Sequence, residues 1–83
     1  MEKDYIPISC SFYDHLEAWA TLKEEVNITF KNELDEYRGI SGIIMDFTIM
    51  NQAEYLILQS GLQIRLDRII EINNLKIQDF KKC

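Results

Sequence analysis

At Val26 the spacing of apolar residues changes, and that change constrains the fold more than any other feature of the chain. Before it, Phe12, Leu16, Trp19 and Ala20 fall at i, i+4, i+7 and i+8, one stripe of a helix. From it, Val26, Ile28 and Phe30 alternate with Asn27, Thr29 and Lys31, the period of a strand with one buried face. A helix-then-strands chain of 83 residues has room for one core only, and it buries only ~60% of its unfolded surface. The whole chain, 1–83, is therefore read as a single domain.

The lead-in Tyr5–Cys10 is expected to be extended, because Pro7 fixes its own φ and disfavours helical geometry at Ile6. Ser9 or Ser11 can cap the helix, and Ser11 with Asp14 three residues on approximates a capping box. The helix is expected over about 11–23. Strands follow over about 26–72. Asn32–Glu36 reads as a polar turn. Tyr37–Met50 reads as one strongly curved strand or two short ones, with Gly39 and Gly42 marking a bulge or bend. After a turn at Asn51–Ala53 come a strand at Glu54–Gln59, a two-residue hairpin at Ser60-Gly61, a strand at Leu62–Leu66 and a short one at Ile69–Ile72. The 73–83 tail reads as a short helix or as disordered.

One helix followed by five short antiparallel strands implies a mainly β protein that closes, or nearly closes, into a small barrel, since closure removes exposed strand edges. An Sm-like barrel and an OB-fold both fit. The helix comes first rather than between strands three and four, which favours the Sm-like five-stranded antiparallel barrel.

Net charge is −5, and the first 37 residues hold nine acids against three lysines, −6, while the remaining 46 sum to +1. An acidic chain repels phosphates, which disfavours nonspecific nucleic-acid binding and anionic membranes and favours a basic partner surface. No apolar run reaches the ~20 residues that cross a bilayer, and no cationic start precedes an apolar segment, so neither a membrane span nor a signal peptide is expected. Cys10 and Cys83 form no CxxC and no pairing pattern, consistent with reduced thiols and a cytoplasmic location.

The sequence offers no converging catalytic set. It lacks HExxH, a glycine-rich phosphate loop, GxSxG and paired-cysteine metal spacing, so no enzyme activity, metal or cofactor is expected. His15 reads as a solvated surface histidine and Cys10 as a small buried apolar residue. Cys83 reads as a free thiol. Phe12 and Trp19 read as core anchors. Arg65 and Arg68 suit a phosphate patch, although salt bridges to the acid-rich first half are the ordinary expectation. Asp14, Glu17, Ala18 and Thr21 share the helix side away from the apolar stripe, and Tyr13 lies between the two faces.

The run Tyr5-x-Pro7-Ile8-x-Cys10-x-x-Tyr13-Asp14-x-Leu16-Glu17 resembles the start of the Rho-binding antiterminator (Rof/YaeO) family of bacteria. Glu54-Tyr55-Leu56 and Arg65-Leu66-Asp67-Arg68-Ile69 are further matching pieces, and the resemblance spans roughly Asp4 to Ile72. Arg68 stands where a lysine is expected, residues 32–50 do not match position by position, and the tail from Asn73 has no counterpart. The resemblance implies an Sm-like fold and a monomer that binds the RNA-binding domain of the termination factor Rho and blocks RNA loading. On that reading Tyr13, Asp14 and Glu17 form the partner-binding surface, imitating phosphates before a basic site, with no direct nucleic-acid binding and no membrane. Two other readings stand beside it: an Sm-like RNA-binding ring protein, which the charge opposes, and an adaptor for some other basic protein.

Overall fold

The computed structural model describes residues 6–80 of the chain. One helix, α1 (Cys10–Leu22), precedes six strands: β1 (Glu25–Lys31), β2 (Tyr37–Met50), β3 (Ala53–Leu58), β4 (Gln63–Arg65), β5 (Ile69–Ile72) and β6 (Leu75–Lys76). All pairings are antiparallel, and the spatial order is β4-β3-β2-β1-β5-β6.

Ser9 starts the helix from extended geometry, its hydroxyl accepting from the Ser11 N–H at 3.2 Å. The cap is thus Ser9, and the Ser11–Asp14 box does not form it. Lys23 ends the helix in the left-handed region, φ 54°, where its N–H and that of Glu24 reach back to Ala20 and Trp19 carbonyls. Phe12 and Leu16 are fully buried, and Trp19 and Ala20 pack against the core from its margin. Burial of a side chain such as Phe12 or Leu16 contributes roughly 1.5–3 kcal/mol.

Cys10 is exposed and disulfide-bonded, which corrects its reading as a buried, reduced residue. Two positions before Phe12, it lies about 160° around the helix from it, away from the core. The expectations for Tyr5 and Cys83 fall outside the described residues.

β2 is one continuous strand of 14 residues rather than two. Its first half pairs with β1, from Glu25↔Ile43 to Lys31↔Tyr37, and its second half pairs with β3, from Ile44↔Leu58 to Met50↔Ala53. Between these halves the register shifts across Ile44–Asp46, leaving Met45 as the extra residue of a bulge. The bend therefore falls at Met45 and not at a glycine. Gly42 nevertheless matters to it, because a Cβ there would stand 3.3 Å from Leu58 Cδ1, whereas nothing lies within 4 Å at Gly39.

The sheet stays open, against the expectation of a closed five-stranded barrel. Closure would require β4 to pair with β5. Instead β4 lasts three residues before Leu66–Arg68 winds into a 3-10 turn, and β6 pairs with the β5 edge at Glu71 and Ile72. Side chains cross the seam in place of a ladder: Arg68 Nη1 donates to the Asn32 carbonyl at 3.0 Å and contacts Asp35 Oδ1 at 3.3 Å. The tail after Asn73 does hold a short helix, a 3-10 turn at Ile77–Asp79, but the β6 strand before it departs from the expectation. Phe80 caps that turn, and its ring meets Phe12 edge-on at 5.0 Å, against the disorder alternative.

Two turns have both central residues at positive φ, Asn51-Gln52 (51° and 65°) and Asn73-Asn74 (51° and 70°), as a two-residue hairpin of matching twist requires. The β3–β4 connection differs from the two-residue hairpin expected. Leu58 N–H bonds to Leu62 O, and Gln59, Ser60 and Gly61 (φ 95°) form the loop. Gln52 is the poorest fit to its turn. A left-handed residue other than glycine costs ~1–2 kcal/mol, and glycine's extra chain entropy returns about half of that. Gln52→Gly is expected to stabilise the fold by ~0.5–1 kcal/mol. Thermal melting should then show a rise of about 2–8 °C for a domain of this size; an unchanged or lower midpoint contradicts the turn geometry.

Candidate functional site

The three residues expected to meet a partner do not stand alike. Asp14 and Glu17 are exposed on α1. Tyr13 is half-buried, its ring against Phe47 of β2 with centroids 5.2 Å apart and planes tilted by 38°. The helix crosses the second half of β2, so its acidic edge borders the bulge. Glu17, Ala20 and Thr21 of α1 and Met45, Asp46 and Phe47 of β2 line a shallow depression of about 240 Å³.

Two acids beyond those expected from the sequence join this edge. Tyr13 has a raised pKa, first because burial disfavours the phenolate, then because Glu54, Glu17 and Asp46 repel it in that order. Asp46 lies at the bend and accepts the Phe47 N–H at 2.8 Å, while Glu54 sits near the start of β3 opposite Ile49. Their place follows from the bulge at Met45, which no local spacing in the sequence reveals. Asp14, Glu17, Asp46 and Glu54 have no ion-pair partner among the described residues. Beside them, Met45 and Ile49 are 50% and 71% exposed. Fixed negative charge next to accessible apolar surface suits docking to a cationic surface with apolar parts.

The remaining candidates divide. His15 is exposed, as expected, but its ring lies 5.7 Å from that of Trp19 and 5.6 Å from that of Phe80, so it rests on an aromatic cluster. Arg68 reaches the acid-rich half through Asp35. Arg65 pairs with Asp67 of its own segment, Nε to Oδ1 at 2.8 Å, off the hydrogen-bond line, and Nη2 to Oδ2 at 3.1 Å. Asp67 also accepts the Ile6 N–H at 3.0 Å, tying the lead-in to the sheet. Among the described residues, no three His, Cys, Asp or Glu side chains are grouped to hold a metal ion, and no helix is long and apolar enough to cross a membrane.

No protein-family model, curated protein or solved structure matches the chain.

The Tyr13 environment carries a pH consequence. A phenol whose folded pKa is raised contributes stability that is full below its unfolded pKa and is lost as pH rises through the folded value. Stability should therefore fall as pH climbs past the ordinary phenol range near ~10. Phenolate absorbance should place one tyrosine above that range, and Glu54→Gln should lower it. A Tyr13 that titrates normally, or ignores Glu54→Gln, refutes the arrangement.

Proposed function

We propose that this protein is an inhibitor of Rho-dependent transcription termination, a non-catalytic antiterminator of Sm-like descent that acts as a monomer in the cytoplasm. The observation that carries the reading is a surface of carboxylates without ion-pair partners among the described residues: Glu17, Asp46 and Glu54, gathered around Tyr13 by α1, β2 and β3, with Asp14 exposed on the same helix. A site that holds single-stranded RNA needs cations along the backbone path and flat platforms for bases. Carboxylates held on a rigid helix and strand meet the first requirement as phosphate substitutes. Met45 and Ile49 supply apolar contact against the second. Opposite fields would speed the encounter and set its orientation more than its lifetime.

The opening-motif resemblance adds the identity of the partner, and the three residues it points to lie on this surface. Its weakest stretch, residues 32–50, contributes Asp46, so that contact is this chain's own. Cytoplasmic thiols would open the Cys10 disulfide. The reading therefore requires that the helix edge persist in the reduced protein, which Ser9 capping and the Phe12–Leu16 packing favour.

The test is co-purification with Rho under reducing conditions, using Asp14→Lys with Glu17→Lys. Capture should drop at least about tenfold while the circular dichroism spectrum is retained. Binding of the unmodified chain should also weaken as salt rises above ~0.15 M. Undiminished capture of the double variant at that salt would sink the proposal, and salt-insensitive capture would shift the interaction onto Met45 and Ile49.

A further inference from the structure

The open seam holds a groove unlike the rest of this acidic surface. Its volume is about 400 Å³, and Phe30, Lys31, Glu33, Tyr55, Arg65 and Arg68 contribute to its walls. That size lies in the ~300–1,000 Å³ range of small-molecule sites. Three cations against one acid line it, although the chain as a whole carries −5. Tyr55 and Arg65 are direct cross-strand partners of β3 and β4, so ring and guanidinium sit side by side by register.

The two arginines are held from behind. Asp67 fixes Arg65, whose side chain is 7% exposed, and Asp35 with the Asn32 carbonyl fixes Arg68. Arg68 uses Nη1 for these contacts, leaving its Nε and Nη2 hydrogens to a ligand. A guanidinium oriented by a carboxylate loses little freedom on meeting a second anion, and its planar fork suits phosphate. Lys31 adds a third charge, its Nζ 5.2 Å from the centroid of Tyr37.

Counting Glu33, Asp35 and Asp67, the groove and its supports sum near neutrality. Attraction is then local and directional, favouring a ligand with one phosphate over one with three. The flat walls call for a planar aromatic group on the same molecule. We propose that this groove is a binding site for a nucleoside monophosphate, with the base between Phe30 and Tyr55 and the phosphate at Arg68 and Lys31. The site shares no residue with the acidic edge and stands whether or not that edge binds Rho.

Titration of the isotopically labelled full chain with adenosine and uridine 5′-monophosphates, followed by amide NMR shifts, tests this. Shifts should concentrate at Tyr55, Gln63, Arg65 and Arg68, and at least one nucleotide should bind about tenfold tighter than inorganic phosphate. Lys31→Gln and Tyr55→Thr, which leave both arginine–aspartate pairs in place, should each weaken binding about five- to tenfold with an unchanged melting temperature. The proposal is overturned by no shifts in this set at millimolar nucleotide, by affinity equal to that of phosphate, or by variants that bind normally. It is equally overturned if a single-stranded oligonucleotide binds there and mononucleotides do not, which would make the groove a strand-binding surface.

Discussion

The fold depends on the bend in β2. A sheet of short strands cannot enclose apolar residues while flat, and here one strand turns through the core and pairs with different neighbours at its two ends. Ile44, fully buried, sits at the start of the bend, and the stripe of α1 covers the hollow so formed with Phe12 and Leu16. Gly42 permits the approach of Leu58 from β3 that the bend demands. Helix position follows from this irregularity, and a second register shift lies where β1 meets β5, between Thr29 and Phe30.

The same bend shapes the surface proposed to meet a partner. By displacing Met45 outward and bringing Asp46 beside Glu17, it adds a strand's charge to a helix's charge. At the other side of the sheet, the bend is insufficient to bring β4 to β5, and β6 fills the available edge. The cleft between Phe30 and Tyr55 is what incomplete closure leaves behind. One edge of the molecule is thus negative and only shallowly indented, and its seam holds a larger groove lined by three cations and one acid.

Much of the architecture was legible because it is written in local periods. The 3.6-residue stripe through Phe12 and Leu16, the alternation at Val26, Ile28 and Phe30, and the curvature of Tyr37–Met50 all depend on near neighbours. What stayed hidden depends on partners far along the chain. Phe80 joins the core through Phe12, the pairing of β6 excludes closure, and Arg65 pairs with Asp67 two residues on. Asp14 and Glu17 could be read from helix geometry, whereas Asp46 and Glu54 could not, since a one-residue bulge decides which way Asp46 lies. Cys10 misled because its residue type favours burial while its helical angle opposes it.

Like charges held together without compensating cations strain the protein that carries them. Glu54, Glu17 and Asp46 each disfavour the phenolate form of Tyr13, so the edge resists gaining one more negative charge. Added electrolyte relaxes that repulsion and also masks the edge from any cationic visitor. Stability above the phenol range and the proposed docking at the edge would therefore respond to ionic strength in opposite senses. A cationic surface docked there, as proposed, would relieve the phenolate of Tyr13 as salt does.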